Sequence, residues 1–318
     1  MSILVLHPSI PRVLDELPGR FPTRVEHGTA PLDGVSNAAL AGIRAIVCAG
    51  ANQVDRAFID RFENLEMIAN FGVGYDSVDA VYAASRGIYV THTPDVLTEE
   101  VADTAMGLLI MAARELGAAE RYLRAGLWEK KPYPLTPGTL RGRSVGLIGL
   151  GRIGLAIARR CEAFGLSIAY CNRSPRADVS YSYYPTPVAL AKAVDTLMVV
   201  APGGAATRHL INAEVLDALG PQGILINIGR GSVVDEAALI AALDGGRILS
   251  AGLDVFEEEP SVPAGLIAHE KITLLPHVGS ASQHTRRAMG QLVVDNVVAW
   301  LTDRTLLTPV PETPWPRA

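Results

Sequence analysis

Short, continuous apolar runs recur along this chain, each closed by a glycine or polar break and followed by apolar positions spaced by three or four. That alternation predicts strands buried on both faces with helices between them. In the first third, Ile3 to His7, Ile43 to Cys48, Leu65 to Asn70 and Gly87 to Thr91 read as strands. Asn52 to Phe62 and Asp76 to Ser85 have the length and spacing of short helices, the second with Asp76 as N-cap and Gly87 near its end. Thr98 to Arg124 is a helical stretch opened by Thr98, Glu99 and Glu100, and longer than a normal globular helix, which leaves room for a break. An irregular arm follows, marked by Pro132, Pro134, Pro137 and Gly138.

A second alternating series begins at Val145. Its strands are Val145–Ile148, Ser167–Cys171, Thr196–Ala201, Gly223–Ile228, Leu249–Asp254 and Ile272–Leu275. Helices read at Ile153–Phe164, Ala213–Leu219 and Asp235–Leu243, with a weaker pattern near Pro187–Ala193, and a last long helix covers Ser282 to Leu301 before a proline-rich tail. The fold class predicted is α/β, with two doubly wound parallel-sheet domains.

The first strand of the second series runs into Val-Gly-Leu-Ile-Gly-Leu-Gly-Arg-Ile-Gly, Val145 to Gly154. A buried strand, a turn through Gly149, Gly151 and Gly154, and an amphipathic helix form the context that makes G-x-G-x-x-G a dinucleotide fingerprint. The first glycine permits the tight turn, the second admits a pyrophosphate, and the third lets helix and strand pack closely. The helix N-terminus offers that anion free N–H groups. In sheets that bind NAD, an acid at the end of the second strand bonds the ribose 2′-hydroxyl. Here Asn172-Arg173-Ser174 stands at that point, with Arg176 just beyond and no carboxylate. Arg173 is either a solvated surface side chain or, with Ser174, a holder for a 2′-phosphate. The missing acid favours NADP(H).

At 318 residues the chain has room for about two domains of ~150 residues. Its hydrophobic fraction of 49% supports substantial cores, and its net charge of -5 argues against nucleic acid or an anionic membrane as main partner. Cys48, Cys161 and Cys171 form no C-x-x-C pair, so we expect free buried thiols in a reducing compartment. The short apolar opening Ile3–Leu6 has no basic region before it, and Ala105–Ala113 is too short to span a bilayer; a cytoplasmic location is expected. No metal is called for.

Chemistry-bearing residues fall at the ends of predicted strands, where open α/β sheets place their ligands. Arg230 follows Asn227-Ile228-Gly229, Glu259 ends the run Asp254-Val255-Phe256-Glu257-Glu258-Glu259 before Pro260, and His277 follows Leu275-Pro276. A histidine can protonate a carbonyl oxygen as hydride arrives, a carboxylate beside it favours the charged imidazole, and a guanidinium can grip a substrate carboxylate. Each alone has an ordinary structural reading. Asn70-Phe71-Gly72-Val73-Gly74-Tyr75-Asp76 either exposes N–H groups to a carboxylate or is a plain tight turn.

Taken in order, these segments resemble the D-isomer-specific 2-hydroxyacid dehydrogenases, and within them the NADPH-dependent glyoxylate/hydroxypyruvate reductases. The resemblance covers nearly the whole chain: the Asn70–Asp76 turn, the Val145–Gly154 fingerprint, A-P-G-G at Ala201–Gly204, and L-I-N-I-G-R-G at Leu225–Gly231. It continues through G-L-D-V-F-E-E-E-P at Gly252–Pro260, L-P-H-V-G-S at Leu275–Ser280 and T-R-R-A-M at Thr285–Met289. It implies a Rossmann-type cofactor domain, residues 98–286, inserted in a flavodoxin-like substrate domain, residues 1–97 and 287–318. It makes His277 the acid/base, Glu259 its partner (the acid next to the proline), and Arg230 the residue that orients the substrate. Backbone N–H groups of Val73 and Gly74 would take the carboxylate's other oxygen. Cofactor contacts are implied at Thr104, Leu150, Arg152, Ile153, Ala201, Pro202, Thr207, Ile228, Gly229, Asp254, Gly279 and Ser280, in addition to the fingerprint glycines and Asn172-Arg173-Ser174.

The expected reaction is reduction of hydroxypyruvate to D-glycerate and of glyoxylate to glycolate, by a homodimer joined through Thr98–Pro137. Some members present a neighbour's tryptophan to the pocket; Trp128 is not assigned that role, which leaves larger 2-oxo acids open. Two other readings stand beside this one: a dinucleotide-sensing module like a corepressor of this fold, and a related enzyme oxidising phosphite. Formate is disfavoured, because the family's formate enzymes carry a glutamine where this chain has Pro276.

Overall fold

The computed structural model describes residues 2–28, 32, 35–50 and 52–316. The chain divides into two compact units, Met1–Leu97 with Ser282–Ala318, and Thr98–Ala281. Among the described residues, no helix is long and apolar enough to cross a membrane.

The first unit is a parallel sheet of β1 (Ile3–Val5), β2 (Thr23–Val25), β3 (Ala45–Ala49), β4 (Met67–Phe71) and β5 (Tyr89–Thr91), in the order β2-β1-β3-β4-β5. Leu4, Ile46, Ile68 and Val90 enter its core together with Phe58, Phe62 and Ile88. The edge strand β2 was not predicted, being three residues long with no buried position. The helix expected over Asn52–Phe62 is shorter, Arg56–Ile59, because Val54 pairs with Val78 and Asp55 accepts the Phe58 N–H as its cap. For the same reason Asp79, rather than Asp76, caps the next helix, Ala80–Ser85. The last helix, Gln283–Asp303, starts on the Ser282 hydroxyl, which accepts the Thr285 N–H at 3.1 Å. The proline-rich tail is docked: Val310 donates to the Val90 carbonyl, and Trp315 stacks edge-on against Tyr89 and Trp300.

The second unit carries β6 (Ser144–Ile148), β7 (Ser167–Cys171), β8 (Ser182–Tyr183), β9 (Thr196–Val199), β10 (Ile224–Asn227), β11 (Ser250–Leu253) and β12 (Ile272–Leu274). All pair in parallel, in the order β12-β11-β10-β9-β6-β7-β8. Counted from β6, this is the 3-2-1-4-5-6 order of a doubly wound dinucleotide sheet, extended by one strand. The sequence had predicted all but the two-residue edge β8. Thr98–Arg124 breaks at Glu115, whose φ of 52° separates Thr98–Arg114 from Leu116–Arg124. The three cysteines are free and buried, and burial pushes the Cys48 and Cys161 thiols up to about 12.

Candidate active site

The fingerprint turn joins β6 to the Arg152–Ala163 helix beside β9, at the reversal of strand order in the second unit. Gly149 has φ +100°, and a Cβ there would lie 3.0 Å from the Ala201 nitrogen. A Cβ on Gly154 would lie 2.4 Å from the Gly149 carbonyl oxygen, so only glycine lets the helix start this close to the strand. A Cβ on Gly151 meets nothing within 4 Å, which leaves open space over the helix N-terminus. Asn172 at the end of β7 fixes the turn by accepting the Leu150 N–H at 2.7 Å. The neighbouring arginines divide. Arg176 is committed, donating to the Leu150 carbonyl and pairing with Asp178. Arg173 and Ser174 are exposed at the strand end. These features fit a dinucleotide with a 2′-phosphate: a close backbone, an N-terminal anion seat, and an unspent cation where a carboxylate would repel.

Arg230, Glu259 and His277 come from the loops after β10, β11 and β12. Asn227 ends β10 buried; its carboxamide accepts the Gly229 N–H and donates to the Arg230 carbonyl at 2.9 Å, setting the turn. A Cβ on Gly231 would stand 1.8 Å from the Phe256 carbonyl carbon, so this turn lies directly against the Phe256–Glu259 loop. Glu259 Oε2 lies 2.7 Å from His277 Nδ1, and its Oε1 accepts the Phe256 N–H at 3.0 Å. A carboxylate only accepts, so Nδ1 carries a proton and Nε2 is left for other chemistry. Burial pushes the Glu259 carboxyl up, but the bonds from His277 and Phe256 and the Arg230 charge outweigh it and hold it below the usual range. Of the three consecutive glutamates, Glu257 is taken by Arg208 and His209, and Glu258 is exposed.

His277 is held in a left-handed conformation, φ 53°, by Asp254. The Asp254 carbonyl accepts the His277 N–H, and its buried carboxylate accepts Val278 N–H at 2.7 Å and Gly279 N–H at 2.8 Å. Burial leaves that carboxyl above its ordinary value despite the two bonds. Thr104 donates to the Gly279 carbonyl, and Thr207 donates to Pro202, shaping the Ala201–Thr207 loop. Ser280 and Ile228 are buried.

In the first unit the Asn70–Asp76 turn has its carbonyls spent. Asn70 donates to Gly72 and Gly74, Thr93 donates to Gly72, and His92 Nδ1 lies 2.9 Å from the Val73 oxygen. Among the described residues, no acceptor takes the Val73 or Gly74 N–H. Two adjacent unspent donors suit an anion.

Residues 106–279 match the model of the D-isomer specific 2-hydroxyacid dehydrogenase NAD binding domain. The chain belongs to the D-isomer-specific 2-hydroxyacid dehydrogenase family. It is therefore an oxidoreductase by family, with two parallel-sheet α/β domains, one of them a Rossmann nucleotide-binding domain. A crystal structure of an NADPH-dependent glyoxylate/hydroxypyruvate reductase from Sinorhizobium meliloti, in complex with NADP and malonate, is 54% identical, with a TM-score of 0.94 over 100% of this chain and 98% of that one. Glyoxylate/hydroxypyruvate reductase A of Arabidopsis thaliana is 50% identical over 84% of this chain and 85% of its own length. Hydroxyphenylpyruvate reductase of Plectranthus scutellarioides is 48% identical over the same shares.

Several residues that hold this dehydrogenase's site were not singled out from sequence. Asn227 is the clearest, an amide closing an otherwise apolar strand, which is the one signal that marked it. Glu236 is another: its buried carboxylate accepts the Glu257 N–H at 2.9 Å and steadies the loop that ends in Glu259. An acid at the first position of a helix is too common to have drawn notice.

Proposed function

We propose that this dehydrogenase is an NADPH-dependent reductase of small 2-oxo acids, converting hydroxypyruvate to D-glycerate and glyoxylate to glycolate. The His277–Glu259 pair beside Arg230, on three adjacent strand ends of a dinucleotide sheet, carries the reading. In it the Thr98–Ala281 unit holds the nucleotide and the Met1–Leu97, Ser282–Ala318 unit holds the substrate carboxylate. The bound reduced nicotinamide supplies the hydride for the carbonyl carbon. His277 gives the proton at Nε2 to the carbonyl oxygen, while Glu259 accepts from Nδ1 and orients the ring. Arg230 orients the carboxylate and polarises the carbonyl, and the Val73 and Gly74 N–H groups take the second carboxylate oxygen. Arg173 and Ser174 hold the 2′-phosphate, and Arg152 and Ile153 face the pyrophosphate.

We also read the chain as a cytoplasmic homodimer joined through Thr98–Pro137. Free buried thiols fit a reducing compartment. Leu116, Leu123, Leu127, Trp128 and Leu135 are all exposed within the joining segment, Leu135 at 99%. The test of the activity is a panel of glyoxylate, hydroxypyruvate, pyruvate and phenylpyruvate, each with NADPH and NADH, followed at the reduced-nicotinamide absorbance. The highest kcat/KM is expected for hydroxypyruvate and glyoxylate with NADPH. Absence of turnover throughout, or a preference for NADH, refutes the proposal; phenylpyruvate as the best substrate moves it to larger 2-oxo acids.

A further inference from the structure

The Val73 and Gly74 N–H groups belong to two consecutive peptide units, Gly72–Val73 and Val73–Gly74. In a trans peptide the N–H points away from the C=O of the same plane, so whatever holds the carbonyl also aims the donor. Both carbonyls are held. Gly72 O accepts from the Thr93 N–H at 2.9 Å and from the Asn70 carboxamide at 3.2 Å, and Val73 O lies 2.9 Å from His92 Nδ1. A carbonyl only accepts, so Nδ1 carries the proton and His92 is the donor. His92 and Thr93 are neighbours just past β5, so one short segment grips both peptides on the side opposite their N–H groups. A bond accepted at the carbonyl also polarises its peptide and makes the N–H a stronger donor.

His92 is itself fixed from behind by the C-terminal tail. Its N–H donates to the Thr308 carbonyl at 3.2 Å, and the Thr308 hydroxyl donates to the His92 carbonyl at 2.6 Å. Asn296, buried on the last helix, donates to that hydroxyl at 2.9 Å and accepts the Leu307 and Thr308 N–H groups. The imidazole meets the Tyr75 ring edge-on, with ring centres 5.6 Å apart. Tyr75 in turn donates to Glu312 on the tail at 3.0 Å, and burial and that carboxylate push its hydroxyl up to about 12, so it stays a donor.

We propose that His92 is a positioning residue for the substrate carboxylate: without touching the substrate, it aims the Gly74 N–H by holding the Val73 carbonyl. The assignment rests on the reductase reading, in which Val73 and Gly74 take one carboxylate oxygen. It gives the tail a part in substrate affinity, since Thr308 and Glu312 hold the residues that hold the turn.

Two substitutions in the full-length protein separate the hydrogen bond from the packing. His92→Asn loses the ring but keeps a donor, because the carboxamide nitrogen stands as many bonds from the backbone as Nδ1 does. His92→Phe keeps a ring against Tyr75 and loses the donor. His92→Phe should raise KM for hydroxypyruvate and glyoxylate about three- to tenfold with kcat nearly constant, because a misaimed carboxylate contact weakens ground and transition states alike. KM for NADPH should not change, and His92→Asn should stay close to the unmodified protein. The reverse order, an equal loss in both variants, no loss in either, or a fall in kcat alone overturns the role. Should His92→Phe not fold, His92→Leu takes its place, with the shape of Asn and no donor. If the unmodified protein reduces no 2-oxo acid, the reductase reading has failed separately, and the turn is scored by thermal shift with malonate. Malonate should then stabilise the unmodified protein and His92→Asn more than His92→Phe. Equal shifts in all three, or none in the unmodified protein, overturn the positioning role.

Discussion

Replacing Glu259 with Gln keeps the shape of the side chain and removes its charge. The native carboxylate serves two donors at once, His277 Nδ1–H at 2.7 Å and Phe256 N–H at 3.0 Å. A carboxamide has one oxygen, so either its NH2 faces the imidazole N–H or it faces the Phe256 N–H. In the first case His277 must give up its Nδ1 proton to accept from the amide; in the second the loop is left with an unmet backbone donor. A hydrogen bond to a charged group contributes about 1.5–3 kcal/mol, and partial exposure of this pair places the loss nearer ~1–2 kcal/mol. At about 1.4 kcal/mol per decade, kcat/KM for 2-oxo acid reduction should drop about five- to thirtyfold. Stability gives an independent check. The Glu259 carboxyl titrates below its ordinary value in the folded protein, so its contribution is complete above the unfolded-state value, ~4.3, and is lost as pH falls through the lower native one. The native protein should therefore be more stable than Glu259→Gln at neutral pH, and this gap should close within that acidic window. A variant with unchanged kcat/KM and the same acid unfolding would refute the pairing as the source of acid catalysis.

Three further outcomes follow from the same geometry. Arg173→Asp should raise the KM for NADPH about tenfold or more while affecting NADH little, by loss of a charge-assisted phosphate contact and gain of a repelling carboxylate; an unchanged NADPH-to-NADH ratio would show that Arg173 does not read the 2′-phosphate. Gly231→Ala would place a Cβ 1.8 Å from the Phe256 carbonyl carbon, so the two loops must part. A loss of about 1–3 kcal/mol in chemical denaturation is expected, with a drop in kcat because the turn carries Arg230, and normal values for both would contradict the packing. Asp254→Asn sets an NH2 against the Val278 or Gly279 N–H, which should cost about 1–3 kcal/mol and loosen His277, lowering kcat more than it changes the KM for nucleotide. A KM effect alone would place Asp254 on the nucleotide instead.

The strands that organise both units were legible because burial on both faces forces continuous apolar runs, as in Ile43–Cys48 and Leu225–Ile228. The edge strands β2 and β8 were not: a short edge ribbon such as Thr23-Arg24-Val25 has no fully buried position and leaves no pattern to read. Helix starts failed where tertiary pairing overrode a local cap. Asp76 and Asp79 are equally good caps by residue type, and Asp79 is selected because Asp76 and Ser77 are taken up in a turn and Val78 bridges to Val54.

The site divides along a similar line. Arg230, Glu259 and His277 could be picked out because each sits where a recognisable strand ends, and strand ends are where this architecture exposes chemistry. The groups that position these three are ordinary in sequence. Asn227, Glu236 and Asp254 accept backbone N–H bonds from the loops that hold those three; Asp254 was marked through its motif, as a nucleotide contact, whereas the residue types of Asn227 and Glu236 do not announce this work. Arg173 and Arg176 show the limit most sharply, since they stand three positions apart in one loop with the same side chain. Arg176 is spent on Asp178 and the Leu150 carbonyl and so shapes the fingerprint turn, whereas Arg173 keeps its charge for solvent or a phosphate. A motif specifies the kind of residue near a ligand. Which copy remains unspent is decided by the partners that folding brings, and that is why Arg173 rather than Arg176 is the position for testing nucleotide preference.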